Sequence, residues 1–374
     1  MINSHHAARA GKIRYAVVGL GHIAQSAVLP GFTNAHKNSI LSALVSDDPV
    51  KLRELSHAYK VPHTFSYDEY EDCLLSGEVD AVYIALPNSM HREYAVRAAE
   101  ARVHVLCEKP LAVDEEECHE IIEACAENHV KLMTAYRLHF ERANLEAIEL
   151  LEAGALGEPR IFNSVCSMQI KEGNTRLKKR LGGGTLYDIG IYCINASRYL
   201  FRAEPQEVVA FSANNEERRF REIDEMTSAI LRFPGERLAS FTTSFGAAET
   251  SVFEVIGTRG RLRLVQAYEH SEPMTMEITV EGRTRQRSYP QRDQFGPELL
   301  YFSDCILNHQ EPEPSGLEGL LDVHIVRSLY ESAERGMPVK LDDLRRRRRP
   351  NLRQEIHRPP APHRPHIHAR APTR

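Results

Sequence analysis

The stretch that most constrains the fold is residues 12–24, KIRYAVVGLGHIA, where an aliphatic run leads directly into closely spaced glycines. Residues 13–18 are rich in β-branched and aliphatic side chains and too few for a helix, so they predict a buried strand. The motif Gly19-x-Gly21-x-x-Ala24 follows without a spacer and predicts a tight turn into a helix. Free N–H groups at the start of such a helix can hold a pyrophosphate. The stretch therefore predicts a dinucleotide-binding unit; the alternative is a glycine-bearing turn without a ligand.

The chain up to about residue 137 repeats this strand-then-helix pattern. Further strands are predicted at residues 40–45, 79–86, 103–107 and 131–136, and helices at 22–33, 50–59, 91–101 and 114–128. The alternation predicts a parallel, doubly wound α/β sheet, which binds ligands at the carboxyl ends of its strands. Polar residues stand at those ends: Asn88, His91, Glu108, Lys109, Tyr136 and Arg137. They are therefore candidates for the ligand site.

The segment Ser46-Asp47-Asp48-Pro49 follows the second predicted strand, where a dinucleotide fold binds the adenosine ribose. Asp47 can accept hydrogen bonds from a ribose 2′-OH, which favours NAD. Ser46 and Lys51 can hold a 2′-phosphate, which favours NADP. The segment also suits a cap of the helix at 50–59, and that role excludes neither coenzyme.

The pattern changes after Phe140. Extended segments are predicted at 160–169, 206–213, 226–233, 237–245, 251–257, 260–265 and 275–280, and helices at 141–152, 295–308 and 318–335. Consecutive strands without intervening helices predict an α+β domain around a mostly antiparallel sheet. We therefore expect a first domain over residues 12–137 and a second domain over residues 138–341.

The last segment has a different composition. From Leu344 onwards the chain is rich in Arg, Pro and His, with five consecutive Arg at 345–349 and few apolar residues. Such a segment cannot bury enough apolar surface to fold, so residues 342–374 are expected to be a disordered, solvated tail. An electrostatic role for the Arg run is the alternative.

Composition excludes several classes of function. A net charge of −5, with 42% hydrophobic and 26% charged residues, is typical of a globular protein and gives no sign of nucleic-acid binding. No apolar run is long enough to span a membrane, and residues 1–11 lack the apolar core of a signal peptide. The seven Cys form no C-x-x-C pair, which is typical of free thiols in a cytoplasmic protein. The histidines form no metal-ligand spacing, so no metal is expected.

Four further motifs stand in a recognisable order: LPNSMH (86–91), CEKPLA (107–112), AYRLHF (135–140) and GGGTLYDIGIY (182–192). Together with the Gly-x-Gly turn they resemble the glucose–fructose oxidoreductase/inositol dehydrogenase/MocA family, most closely its glucose–fructose branch, over residues 12–341. The resemblance implies a Rossmann domain and an open-sheet second domain that also forms a dimer or tetramer. It implies hydride transfer between a nicotinamide and a sugar or polyol.

The resemblance also implies three catalytic residues, Lys109, Asp188 and Tyr192; the last position is Tyr in the glucose–fructose branch and His in the inositol dehydrogenase branch. Oxidation of a hydroxyl requires a base and a cation near the developing alkoxide. Lys109 can supply the cation, Tyr192 can accept the proton if a neighbouring cation stabilises its phenolate, and Asp188 can orient the pair. Arg176 is a candidate for gripping substrate oxygens. The alternatives are a surface Lys, a helix N-cap Asp and a core Tyr.

The predicted coenzyme site combines the glycine turn with the strand ends. Its residues are Gly19, Gly21, His22, Ile23, Ser46, Asp47, Lys51, Leu86, Pro87, Asn88, His91, Glu108, Lys109, Tyr136 and Arg137. The predicted substrate site consists of Lys109, Arg176, Asp188 and Tyr192. NADP is narrowly preferred because Ser46 and Lys51 match the branch that uses it, whereas Asp47 would repel a 2′-phosphate; NAD stays the alternative.

Three alternatives to a sugar or polyol dehydrogenase stay open at this point. They are a keto-sugar or anhydro-sugar reductase, a glucose–fructose-type oxidoreductase that retains NADP, and a non-catalytic NADP-binding regulatory protein. The resemblance attributes retention partly to an N-terminal arm, and only residues 1–11 precede the first strand here. We therefore expect the coenzyme to dissociate in each cycle. A cis bond before Pro110 is also expected, because related chains have one.

Overall fold

The first half of the protein is built around a parallel sheet; the computed structural model describes residues 11–342 and 348–373. The six strands are β1 (Ile13–Val18), β2 (Ser39–Val45), β3 (His63–Phe65), β4 (Ala81–Ile84), β5 (His104–Glu108) and β6 (Leu132–Ala135). Their order is β3-β2-β1-β4-β5-β6, and the neighbouring strands are parallel. This is the order of a doubly wound dinucleotide-binding sheet, which binds its ligand where the order reverses between β1 and β4.

Helices connect these strands. They are α1 (Leu29–Ala35), preceded by a π-helical turn over Ala24–Val28, then α2 (Pro49–Tyr59), α3 (Tyr70–Leu75), α4 (His91–Glu100) and α5 (Glu115–Glu127). The start of α2 confirms the predicted cap. The Asp48 carboxylate accepts hydrogen bonds from the N–H groups of Val50 and Lys51 at 3.0 and 3.1 Å, and Pro49 occupies the first turn.

The second half is built around a nine-stranded sheet. Its strands are β7 (Pro159–Ser167), β8 (Glu207–Ala213), β9 (Met226–Phe233), β10 (Arg237–Ser244), β11 (Thr250–Gly257), β12 (Gly260–Val265), β13 (Met274–Val280), β14 (Arg283–Tyr289) and β15 (Val339–Lys340). The order is β14-β13-β12-β11-β7-β10-β9-β8-β15. β7 and β10 are parallel and the other neighbours are antiparallel. The predicted fold class, a Rossmann sheet followed by a mostly antiparallel sheet, is confirmed.

Four helices accompany this second half: α6 (Arg142–Glu152), α7 (Ile191–Phe201), α8 (Phe295–Leu307) and α9 (Gly316–Arg335). α6 and α7 pack on one face of the nine-stranded sheet through the same apolar core as Phe162 and Phe253. α8 differs from the prediction, because its apolar face joins the core of the first sheet beside Tyr15. A helix of this kind is placed by tertiary contacts rather than by its position in the chain.

The longest helix, α9, ties the two sheets together. Leu320 and Val323 in its first half belong to the core of the parallel sheet, whereas Ile325 and Leu329 belong to the core of the nine-stranded sheet. Across residues 11–342 and 348–373, the helices are all too short or too polar to cross a membrane.

The C-terminal segment differs from the expected disordered tail over residues 348–373. Arg349 donates hydrogen bonds to the carboxylate of Glu204 at 2.7 Å and to the carbonyl of Arg198 at 3.0 Å. Glu355 accepts from Arg142 at 2.6 Å and from Arg292 at 3.0 Å. The segment is therefore held by ion pairs and backbone hydrogen bonds, which an argument from apolar content alone overlooks. Residues 343–347 and 374 of the predicted tail lie outside the described residues, as do residues 1–10, on which the expectation of coenzyme release rests.

Candidate active site

The candidate site is a cavity of about 410 Å³ between the carboxyl edge of the parallel sheet and the nine-stranded sheet. Predicted site residues that line it are Gly19, Gly21, His22, Ile23, Ser46, Lys51, Leu86, Pro87, Asn88, Glu108, Lys109, Arg137, Arg176, Asp188 and Tyr192. The structure thus brings together the glycine turn and the strand ends of the first half with the 182–192 motif of the second half. Pockets at this edge are where α/β sheets bind dinucleotides.

The glycine turn forms one end of the cavity. Gly19 has φ +92°, and a Cβ there would lie 2.6 Å from the carbonyl oxygen of Ala85, so only glycine fits. A Cβ on Gly21 would meet nothing within 4 Å, so the backbone at Gly21 faces open space. That open space, at the start of a helical turn, is what a bound pyrophosphate occupies in a fold of this kind. The residues present therefore fit a dinucleotide coenzyme.

At the end of β2, the residues that favour NADP and the residue that favours NAD have different surroundings. Ser46 and Lys51 line the cavity. The Asp47 carboxylate instead accepts a hydrogen bond from the backbone N–H of Tyr67 at 2.9 Å. Asp47 is not among the residues that line the cavity, so the side chains that line it at this end favour a 2′-phosphate.

Two predicted coenzyme residues are buried away from the cavity. His91 is fully buried between the carbonyl oxygens of Pro110 and Leu86, at 2.8 and 3.0 Å. The hydroxyl of Tyr136 donates a 2.6 Å hydrogen bond to Asp322 in α9. Both side chains hold neighbouring segments together, so the position of a polar residue at a strand end did not by itself predict its orientation.

Lys109 and Asp188 form the centre of the site. The Lys109 Nζ donates to the backbone carbonyl of Asp188 at 2.6 Å and lies 3.4 Å from its carboxylate. The peptide bond between Lys109 and Pro110 is cis, as predicted. Burial alone would lower the pKa of Lys109, but the negative groups around it, among them Asp188, outweigh burial and raise that pKa. Lys109 is therefore a permanent cation at neutral pH.

Arg176 holds the other side of the Asp188 carboxylate, with its Nε donating at 2.7 Å. Burial would raise the pKa of Asp188, yet Arg176 and Lys109 outweigh burial and lower it. A tight backbone crossing brings the two residues together. A Cβ on Gly183 would lie 2.3 Å from the carbonyl oxygen of Arg176, so the glycine run allows the approach.

Tyr192 lies between two cations. Asp188 belongs to a π-helical turn, Leu186–Gly190, that continues into α7, so Tyr192 follows on the next turn as the helical hypothesis requires. Its ring lies 4.7 Å from the Lys109 Nζ, and its hydroxyl accepts a 3.3 Å hydrogen bond from Arg137. Tyr268 stacks on the same ring, with centroids 5.8 Å apart. The Tyr192 hydroxyl is therefore fixed at the cavity wall beside Lys109.

A pair of carboxyl groups joins the cavity wall to α8: Glu108 is half-buried at the wall and Glu298 is fully buried behind it. The Tyr83 hydroxyl donates to Glu108 at 2.8 Å and lies 3.5 Å from Glu298 in α8. Burial raises the pKa of both carboxyls, and Glu108 adds to the increase for Glu298. Glu298 thus favours its protonated form, which avoids two adjacent negative charges.

Sequence reasoning missed part of the cavity wall. Tyr268, Glu269 and His270, in the turn after β12, line the cavity beside Tyr192. Other lining residues not singled out are Tyr67, Cys166, Met168, Thr175, Phe295 and Pro372. The polar run Tyr-Glu-His, which begins three residues after the predicted strand 260–265, was the signal available for the first group. Nothing in the sequence predicted that Pro372 would line the cavity.

A glycine turn that fits a pyrophosphate, with a partly buried Lys–Asp–Arg cluster and a fixed Tyr hydroxyl at the far end, defines a nicotinamide-dependent oxidoreductase. Comparison with known families agrees. The model described as "Oxidoreductase family, NAD-binding Rossmann fold" matches residues 13–136, and "GFO/IDH/MocA C-terminal domain" matches residues 144–263. The chain belongs to the Gfo/Idh/MocA family of oxidoreductases, which confirms the predicted family and the predicted nicotinamide coenzyme.

Individual relatives have related chemistry. The chain is 34% identical over 337 residues to D-xylose 1-dehydrogenase [NADP(+)] of Haloarcula marismortui, covering 88% of this chain and 93% of that protein. It is similar to the aldose-aldose oxidoreductase of Caulobacter crescentus complexed with glycerol, with a TM-score of 0.85, 36% identity, and coverage of 88% and 100%. It is also similar to the 3-ketoreductase KijD10 of Actinomadura kijaniata with NADP and TDP-benzene, with a TM-score of 0.79, 25% identity, and coverage of 86% and 98%.

Proposed function

We propose that this protein is an NADP-dependent oxidoreductase that oxidises a hydroxyl of an aldose or related sugar. Residues 12–137 would form the coenzyme domain and residues 138–341 the substrate and oligomerisation domain. The observation that carries the proposal is the Lys109–Asp188–Arg176 cluster beside the Tyr192 hydroxyl, in the cavity that begins at the glycine turn. Sugar-acting relatives across almost the whole chain support the substrate class.

The residues divide the chemistry between them. When bound, the coenzyme takes up a hydride from the carbon that bears the reacting hydroxyl. Lys109, a cation that burial shields from water, stabilises the oxygen as negative charge develops on it. Tyr192, held by Arg137, exchanges the hydroxyl proton. Asp188 positions Lys109 and Arg176, and Arg176 donates to further sugar oxygens.

The coenzyme contacts follow from the lining residues. Gly19 and Gly21 let the backbone approach the pyrophosphate, with His22 and Ile23 beside them, and Ser46 with Lys51 would hold the 2′-phosphate. Leu86, Pro87 and Asn88 line the wall that leads to Lys109. Asn88 also donates to the carbonyl of Gly182 at 2.8 Å, so it couples this wall to the glycine run of the second half.

The rival functions differ in direction or in class. A keto-sugar or anhydro-sugar reductase would use the same residues in reverse, with Tyr192 giving a proton to the carbonyl oxygen. A non-catalytic regulatory protein would not require Lys109, Asp188 and Tyr192 to converge as they do here. The convergence therefore favours an enzyme.

A coenzyme-reduction assay tests the proposal. The purified protein is mixed with NADP or NAD and each of a panel of aldoses, ketoses, anhydro-sugars and polyols, and absorbance of the reduced nicotinamide is followed in both directions. We expect oxidation of at least one aldose with NADP, at a higher kcat/KM than with NAD. Turnover of ketoses or anhydro-sugars alone, in the reductive direction, would establish the reductase instead, and no turnover of any sugar would contradict the proposal.

We further propose that the nine-stranded sheet forms a homo-oligomer. Large apolar side chains are exposed on the face opposite α6 and α7: Ile161, Val165, Phe211, Ile230 and Leu238. Ile161 and Leu238 pair across β7 and β10, so the patch is continuous between strands. Apolar patches of this kind mark protein interfaces.

We also propose that the protein works in the cytoplasm, because all seven Cys are free thiols, which suits a reducing compartment.

Light scattering on a size-exclusion column tests the interface. Phe211, 72% exposed, is changed to Glu, and Leu75, 67% exposed on α3, is changed to Glu as the control. We expect Phe211→Glu to reduce the mass to that of a smaller assembly and Leu75→Glu to leave it unchanged. A monomeric wild-type chain would contradict the proposal.

A further inference from the structure

The C-terminal strap, residues 357–373, lies beyond both family-model matches, which cover residues 13–136 and 144–263. It begins next to the ion-paired Glu355 and runs along α1 of the coenzyme half. Arg358 donates to the carbonyl of Asn34 at 3.0 Å, and the Asn34 side-chain amide donates to the carbonyl of Pro359 at 2.9 Å. The strap is thus directed toward the glycine turn.

The strap then crosses the glycine turn. The side-chain amide of Gln25 donates to the carbonyl of Ile367 at 2.9 Å and accepts from the Ile367 N–H at 2.8 Å. Gln25 is itself 2% exposed, so this pair is formed out of water. His366 packs edge-on against His22, with ring centroids 4.9 Å apart. His368 lies 2.8 Å from the carboxylate of Asp48, at the start of α2.

The end of the strap reaches the opposite wall of the cavity. Thr373 forms a β-bridge with Ile170, and the Lys171 N–H donates to the carbonyl of Pro372 at 2.9 Å. Pro372 is itself one of the residues that line the cavity. The strap therefore bridges the cavity mouth from the coenzyme half to the substrate half, and the cavity persists beneath it.

We propose that the strap is part of the coenzyme site and holds NADP in the cavity between catalytic cycles. A dinucleotide bound on the glycine turn would lie under residues anchored on both walls, so it leaves only after the strap detaches from Gln25 or Lys171. His366 of the strap packs against His22 of the glycine turn, beside the place of the pyrophosphate, whereas Arg364 lies over the ring of Tyr59 in α2. The expectation of release in each cycle rested on residues 1–11 and took no account of this segment.

The proposal rests on coenzyme binding and not on the identity of the sugar. Truncation after Ile356 removes the strap but keeps Arg349 and Glu355, whose ion pairs anchor the segment before it. Gln25→Leu keeps the side chain's size and removes the two hydrogen bonds to Ile367, together with a third, 2.9 Å bond to the carbonyl of Leu20 in the glycine turn. Only a faster release that the truncated chain shares is therefore assigned to the strap. Gln310→Leu, at an exposed position, is the matched control.

The measurement is the dissociation rate of NADPH, followed by its fluorescence after mixing with excess NADP, together with the nicotinamide content after gel filtration. One net hydrogen bond corresponds to roughly a factor of five, so loss of the Gln25 pair should speed release about 25-fold. We expect that increase in Gln25→Leu, at least as large an increase in the truncated chain, and no change in Gln310→Leu.

Two results would overturn the proposal. A dissociation rate within about twofold of wild type in both variants would place the strap off the exit path. Tighter NADPH binding through faster association, with release unchanged, would show that the strap competes with the coenzyme instead of covering it. If the truncated chain does not fold, Ile367→Pro replaces it, because this change removes the Ile367 N–H that donates to Gln25 and leaves the Gln25–Leu20 bond in place. Absence of sugar turnover would leave all these rates measurable, so failure of the proposed function remains separate.

Discussion

Arg198 offers a test of how the two halves are held together. It is fully buried in α7, and its guanidinium bonds to Glu204, to Asp322 and, at 3.1 Å, to Glu318. Burial would lower the pKa of Arg198, but these carboxylates raise it well above its ordinary value. The change Arg198→Met keeps an apolar stem and removes a charge that all three carboxylates share.

The loss of stability in Arg198→Met follows from the carboxylates that stay buried without their cation. Breaking a buried ion pair by removing one partner costs about 3–5 kcal/mol, because the other charges stay buried. With an unfolding entropy of about 2.1 cal/mol/K per residue over the 374 residues, this lowers Tm by roughly 4–6 °C if the chain unfolds as one unit. Arg202→Met, which removes a half-exposed ion pair to Glu152, should change the stability by less than about 1 kcal/mol.

The sign of the pH dependence sharpens this prediction. Burial already raises the pKa values of Glu318 and Asp322, and Arg198 opposes the rise. Without Arg198 the folded-state pKa values rise further above their unfolded values, so the folded variant binds extra protons. The loss of unfolding free energy relative to wild type should therefore be largest at pH 8 and smaller at pH 5. Calorimetry at both pH values measures it, and an unchanged Tm or a deficit that grows on acidification would refute the reasoning.

Three further predictions concern the coenzyme site and the C-terminal segment. Gly19→Ala should abolish nicotinamide binding, measured by fluorescence titration, because a Cβ would lie 2.6 Å from the Ala85 carbonyl oxygen at φ +92°; retained affinity would contradict the close approach. Lys51→Ala should lower the preference for NADP over NAD, measured as a ratio of kcat/KM values, by roughly 10- to 100-fold, since a hydrogen bond to a charged group contributes about 1.5–3 kcal/mol. Truncation after Asp343 should lower Tm by several degrees, because it removes Arg349 and Glu355 from their ion pairs; an unchanged Tm would restore the disordered tail.

The pattern of apolar and polar residues located most of the predicted strands and helices to within two residues of their observed ends. The aliphatic run 13–18 forms β1 with the same bounds, and the run 226–233 forms β9. β14 was missed because residues 283–289 include three Arg and are largely exposed, so they show no apolar alternation. Such an edge strand is specified by its pairing with β13 rather than by its own sequence.

The site was predictable to the extent that a motif fixes both position and direction. The family resemblance predicted Lys109, Asp188 and Tyr192 together with the cis bond before Pro110. In the structure a cis peptide, a glycine run and a helical turn bring these three side chains to one place. His91 and Tyr136 stand at the same strand ends but face inward to Pro110 and Asp322, and only tertiary packing decides that.

The C-terminal segment shows the limit of compositional reasoning. Its few apolar residues predict that it cannot fold alone, and it does not form a domain of its own. Its contacts are made by main-chain groups and by Arg and Glu side chains that meet partners far away in the chain, such as Gln25 and Arg142. The sequence of the segment itself cannot predict partners that lie so far away in the chain.

The central claim is that Lys109 stabilises the reacting oxygen in a sugar oxidoreductase. The most direct test is the single-turnover rate of NADP reduction by the best aldose, measured by stopped flow in wild type and in Lys109→Ala, with NADP affinity measured separately. We predict a fall of roughly two to four orders of magnitude in the rate, with the fold and most of the NADP affinity retained. A rate in Lys109→Ala within threefold of wild type would contradict the account.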